Sequence, residues 1–203
     1  KNKINILADS GDNPTAGGVG DRSDVLCFII KKKLKNALIA GIAAPNAYLK
    51  LKKNKKQLIS LGNNLGGGGP KINFVPDKVK FIKSCAIIQY KFITIVITKY
   101  RRAFHYLNDF KELNLNIKNY NILVVKSGYL SPDLKKIQSK KFMLLTDGIV
   151  NQNINNLKNN FRKKNIFPFN KKSKFLIWFH VPQKVLITLS FEFGNLIYFS
   201  GIL

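Results

Sequence analysis

INILADSGDNPTAGGVGDRSD, residues Ile4–Asp24, runs from a short apolar strand into a loop holding Asp9, Asp12, Asn13, Pro14, Gly17, Gly18, Gly20 and Asp21. A helical pattern follows at once, with Val25, Leu26, Ile29, Ile30 and Leu34 on one stripe of Asp21–Lys35. Strand end, Gly/Asp-rich turn and helix start in succession are where α/β proteins bring backbone to a ligand. The loop is not a nucleotide-binding P-loop, because no Gly-Lys-Ser/Thr follows its glycines. Nor is it an EF-hand, since the Asp spacing and terminal Glu are missing. Its glycines let N–H groups approach an anion, with Asp12 and Asn13 to orient a polar group. The competing reading is a loop whose Asp and Asn side chains cap their own backbone, and the residues alone lean slightly that way.

Working outward, Ile4–Ala8 is the strand and Ala37–Ala43 (ALIAGIA) a continuous apolar run suited to a buried strand. Ala44-Pro45-Asn46 turns into a Lys-rich helix expected to end before Gly62, and Gly66–Gly69 with Pro70 forms a flexible loop. Three extended segments follow, Ile72–Val75, Val79–Ala86 and Ile87–Thr98, which predict an antiparallel meander. Tyr106–Leu113 reads as a short helix, Ile122–Val125 as a buried strand, and Pro132–Gln138 as a helix with proline in its first turn. Phe142–Leu145 is a further strand, and residues 151–170 are polar and irregular. The expected class is α/β, or mixed α+β: a central mixed sheet flanked by helices, with the antiparallel meander in the middle of the chain.

Phe175–Leu203 is strongly apolar but broken by Pro182, Lys184 and Glu192, so it lacks the run of about 20 apolar residues a membrane span needs. Two strands around a turn at Pro182–Lys184 fit better, and a read-through past a lost reading frame is the other option. The division expected is residues 1–170 as one domain and 171–203 as an apolar tail of unassigned nature. The first residue is Lys1 rather than methionine, as expected of a fragment or processed product.

With 203 residues and 45% hydrophobic content, the chain has enough apolar sequence for a sizeable core. Its net charge of +25 would ordinarily point to nucleic acid or an anionic surface. The excess is mostly lysine, spread through every element alongside Asn and Ile, all residues with AT-rich codons. Drift in an AT-rich genome accounts for it without a partner. Arginine forks and aromatics in a basic stripe are lacking, so neither a specific nucleic-acid partner nor a membrane partner is expected. Cys27 and Cys85 lie in apolar surroundings without CxxC spacing, which predicts buried, reduced thiols and a cytoplasmic setting.

Two further stretches carry chemistry. TKYRRAFHYLND, Thr98–Asp109, places Arg101, Arg102 and His105 just after a strand. Adjacent arginines suit carboxylates through bidentate forks, and a lone His105 is more often a packed, hydrogen-bonded histidine than an acid/base. VVKSGY, Val124–Tyr129, ends a buried strand with Lys126, Ser127 and Gly128, at the edge where α/β sheets place their sites. Ser127 has no identifiable base, and His105 and His180, the two histidines, make no metal-binding pair.

Together LADSGDNPTAGGVGD (Leu7–Asp21), ITKYRRAFHYLNDF (Ile97–Phe110), ILVVKSGYLSPDL (Ile122–Leu134), FMLLTDGIVNQNINNL (Phe142–Leu157) and IFPF (Ile166–Phe169) resemble the C-terminal domain of the MlrC (microcystinase C) family of metallopeptidases. The resemblance implies a zinc-dependent hydrolase of two domains. The zinc would sit on an N-terminal domain, with none bound by this chain. The second domain would shape the cleft around a peptide-like substrate. It places Asp12, Asn13, Gly17, Gly18 and Asp21 in loop architecture facing that cleft, and Arg101, Arg102, His105, Lys126 and Ser127 at substrate or interdomain contacts. The chain departs from the family pattern at Ala44-Pro45, at Gly66–Gly69 and at Asp147 and Asn151. The alternatives are a non-enzymatic basic module binding nucleic acid or an acidic partner, or a degenerate inactive fragment.

Overall fold

The structure, a computed structural model, describes residues 4–154, Phe169 and the backbone of two short strands beyond it. The chain divides into two compact units, Lys1–Asn153 and Ile154–Leu203. The first holds nine strands among its described residues: β1 (Asn5–Asp9), β2 (Ala37–Ala43), β3 (Ile59–Leu61), β4 (Ile72–Phe74), β5 (Lys78–Ile82), β6 (Cys85–Tyr90), β7 (Ile93–Thr98), β8 (Ile122–Lys126) and β9 (Lys140–Leu144). Its helices are α1 (Asp24–Lys31), α2 (Pro45–Lys53), α3 (Leu107–Lys111) and α4 (Pro132–Lys135). In the second unit, Phe175–Ile177 (β10) and Ile187–Leu189 (β11) pair antiparallel, as the broken apolar tail predicts. The expected turn at Pro182–Lys184 and most of the polar stretch 151–170 lie outside the described residues.

Seven strands form one sheet in the order β5-β6-β7-β2-β8-β1-β9. The five from β7 to β9 run parallel, and β6 and β5 continue antiparallel at one edge. The mixed sheet is therefore the expected one, with the meander as its flank. β2, the middle strand, is buried at every residue, so both faces of the sheet need cover. Alternation divides the core accordingly. Ile39 and Val124 pack with Val25, Leu26 and Ile29 of α1, Tyr48 and Leu51 of α2, and the small β3–β4 sheet. Leu38, Leu123 and Val125 pack on the other face with Phe104, Phe110 and Leu134. Gly41 sits where the β2–β7 register shifts, at φ 90°, and a β-carbon there would lie 2.9 Å from the Phe104 ring. Only glycine meets both demands.

Several boundaries differ from the sequence expectation. Helix α1 begins at Asp24, not Asp21, because the Asp21 and Ser23 side chains bond to another loop instead of capping it. The Lys-rich helix stops at Lys53, where Asn54 is extended, and Ile59–Leu61 is a strand, not its last turns. The segments Val79–Ala86 and Ile87–Thr98 divide differently, into β5, β6 and β7. Their tight turns place Lys83 and Lys91 at φ 51° and 53°. The helices at 106–113 and 132–138 are shorter than expected, and β9 starts two residues earlier.

Candidate functional site

Parallel strands put all their C-terminal ends on one edge. Here that edge collects the loop after β1, Ala44-Pro45 after β2, Lys99–Arg102 after β7, Ser127–Tyr129 after β8 and Leu145–Thr146 after β9. Tyr100, Tyr129, Leu145 and Ile149 are strongly exposed along it.

Its centre is charged and dry. Asp9 is paired in register with Lys126 on β8. The Lys126 ammonium, 4% exposed, donates to Asp9 Oδ2 at 3.0 Å and to Asp12 Oδ2 at 2.9 Å. Asp12 spends its remaining capacity on the loop, Oδ1 accepting from the Gly20 N–H at 2.7 Å and Oδ2 from the Arg22 N–H at 2.8 Å. Asp9 Oδ1 accepts from the Thr146 hydroxyl, which itself accepts from the Gly11 N–H at 3.0 Å. One buried lysine thus ties together three strand ends, β1, β8 and β9. Burial alone would push its pKa down, but Asp9 and Asp12 outweigh it and the net direction is up.

The rest of the loop is fixed by its own side chains. Asn13 Oδ1 accepts from the Thr15 N–H at 3.0 Å and hydroxyl at 2.8 Å, starting a 3₁₀ turn that Gly17 closes in the left-handed region. The Gly18 N–H returns to Asn13 O at 2.8 Å. Asp21, fully buried, accepts from Leu65 N–H at 2.5 Å, while Ser23 Oγ donates to Pro70 O at 2.6 Å and Arg22 Nη1 to Gly67 O at 3.1 Å. The Gly-rich segment is therefore strapped onto the Asp-rich one. Asp21 Oδ1, Thr98 Oγ1 and His105 Nε2 are buried atoms without a hydrogen-bond partner among the described residues.

The arginines diverge. Arg101 is exposed and reaches the loop, Nη1 donating to Gly18 O at 3.3 Å. Arg102 instead pairs with Asp109 at 2.8 Å, lies over the Phe104 ring at 4.8 Å and approaches Cys85 Sγ. Burial pushes the Cys85 thiol up despite that arginine, and Cys27, expected to be buried, is only partly so. His105 presents its backbone, its N–H donating to Asp109 Oδ2 at 2.9 Å and its carbonyl accepting from Ser131 Oγ. The Ser127 N–H donates to Asp9 O at 3.0 Å and its hydroxyl to Tyr129 O. Thr146 and Asp109 organise these segments and were not singled out in the sequence. Asp109 had a legible signal, an acidic side chain three residues into a helix reaching back to its start. Thr146 had none.

The family described as MlrC C-terminus matches residues 7–57 and 73–160. The chain belongs to the MlrC C-terminal domain family. The unmatched gap, 58–72, is where β3 and the Gly-rich strap lie. Among solved structures, the MlrC domain is similar to a protein assigned as a metallopeptidase from Mesorhizobium sp. BNC1. The TM-score is 0.68 at 11% identity, over 93% of this chain and 40% of that one. That likeness concerns the fold, and this chain spans less than half of that protein's length. No curated protein matches.

Does this MlrC domain offer a metal a seat? Its buried carboxylate pair, Asp9 and Asp12, already holds the Lys126 ammonium where a cation would go. Among the described residues no group of three or more His, Cys, Asp or Glu is placed to hold a metal. The donors among the described residues do not fit zinc. No helix among the described residues is long and apolar enough to cross a membrane.

Proposed function

We propose that this domain forms one wall of the substrate cleft in an MlrC-like, zinc-dependent peptidase whose metal ligands lie on a separate N-terminal domain. The observation carrying it is the Asp9–Lys126–Asp12 centre. It spends its charges internally, making the loop from Asp9 to Asp21 rigid while leaving its outer surface free to contact something else. Rigid elements supporting presented loops are what a substrate wall requires. Gly17 and Arg101, exposed there, give that surface polar contacts, Asn13 and Gly18 being buried behind it, and the Tyr100, Tyr129, Leu145 and Ile149 rim gives it apolar ones. Supporting it further are the family membership and the metallopeptidase assignment of the Mesorhizobium protein.

The test is reconstitution. The chain is mixed with a separately expressed N-terminal half, and zinc-dependent hydrolysis of a linear peptide is followed. Hydrolysis by the mixture and by neither half alone is expected. A demonstrated complex that binds zinc and cleaves nothing contradicts the reading.

A further inference from the structure

At the opposite edge of the sheet, α1 and the β6–β7 hairpin enclose a groove of about 430 Å³, a size usual for ligand pockets. Ile29 and Ile93 are its buried side, and Ile30, Leu34, Tyr90 and Phe92 are its walls. Every charged residue lining it is a lysine: Lys33, Lys35 and Lys91. None of the three has an ion-pair partner among the described residues. Two rest on rings instead, Lys35 Nζ 4.8 Å from the Phe92 centre and Lys91 Nζ 5.1 Å from that of Tyr90. Asp77 accepts from the Lys91 N–H at 2.5 Å but does not pair with its ammonium.

The backbone fixes these lysines at the rim. Helix α1 ends in a Schellman motif, the Lys33 N–H donating to Ile30 O and the Leu34 N–H to Ile29 O, each at 3.0 Å. The motif satisfies helix-end carbonyls that would otherwise repel an anion. Its left-handed position, usually glycine, is Lys33 at φ 53°, and the hairpin turns through Lys91, also at φ 53°. Glycine would ease both turns, and strained backbone of this kind collects at ligand sites. The Asn36 N–H ties the walls together, donating to Phe92 O at 2.8 Å.

We infer that this groove binds a free, single-chain carboxylate of fatty-acid type, its apolar chain between the walls and its carboxylate among the three ammonium groups. Charge complementarity selects the anion, since no acidic side chain lines the groove. The general lysine excess would attract any anion, so what is particular here is the apolar chain that the walls demand. The inference stands on this geometry and does not use the cleft-wall reading.

The test titrates decanoate, below its micelle concentration, into the isotope-labelled 203-residue chain and follows the backbone amides of Lys33, Leu34, Lys91 and Phe92. Decanol, decyltrimethylammonium and acetate at matched ionic strength are the comparison probes. Saturable shifts with decanoate are expected, with affinity at least tenfold lower for the other three. Lys33→Gln combined with Lys91→Gln, and separately Phe92→Ser, should each weaken decanoate binding at least tenfold with the melting temperature retained. Lys50→Gln combined with Lys53→Gln, away from the groove, should leave it unchanged. An equal response to decanol or to acetate overturns the site, reducing it to an apolar patch or to diffuse charge. Unchanged affinity in the folded Lys33 and Lys91 double variant overturns it too. So does binding to phosphatidylglycerol vesicles without a response to monomeric decanoate, or self-association that alone accounts for the shifts.

Discussion

Lys126 is the residue on which the edge depends. It stands 117 positions from Asp9 and 114 from Asp12, yet its one ammonium pairs with both in a site closed to water. Lys126→Met preserves much of the stem's volume but leaves two carboxylates buried together. It should lower unfolding stability in urea by roughly 3–5 kcal/mol. A change under 1 kcal/mol would mean that water already reaches the pair. The pH response has a definite sign. A lysine whose folded pKa lies above its ordinary 10.5 contributes fully below that value and loses its contribution as pH climbs through the folded pKa. In wild type this part of stability should therefore hold steady up to about pH 10 and fall only beyond it. The methionine variant should lack that alkaline loss. Little of this was legible beforehand. Lys126, Asp12 and the loop were recognisable as chemistry-bearing residues, but which charges meet depends on β8 lying beside β1, and nothing local encodes that neighbour.

At the scale of elements, the sequence was most readable where burial is continuous. ALIAGIA and ILVV announce central parallel strands because both faces must be apolar, and both are found there. It was least readable at tight turns. The β5–β6 and β6–β7 hairpins turn through Lys83-Ser84 and Lys91-Phe92, with no Asn-Gly or Asp-Gly to mark them. Both lysines adopt a left-handed conformation that L-residues enter at a cost of about 1–2 kcal/mol. Lys91→Gly should consequently raise stability by about 0.5–1 kcal/mol, part of the relief being returned as unfolded-chain entropy. Chemical denaturation measures it, and a destabilised variant would show that the Lys91 side chain, lying over Tyr90 at 5.1 Å, matters more than its backbone. The strand Ile59–Leu61 escaped notice for another reason. Three residues with a buried-intermediate-buried pattern are too short to separate from the end of a helix.

For the whole molecule, the two ends of the parallel strands differ in kind. The C-terminal edge has buried, paired charges and an apolar rim. The opposite edge carries the exposed Lys31–Lys33 run and the turn at Lys91. If the first edge is the cleft wall, an N-terminal half carrying the metal must cover it and leave the second open. Amide hydrogen exchange on this chain, with and without that half, reads the difference directly. The cleft-wall account predicts slowed exchange in residues 11–21, 99–102, 127–130 and 145–150, with 31–36 and 91–92 unchanged. Protection confined to 31–36 and 91–92 would contradict it.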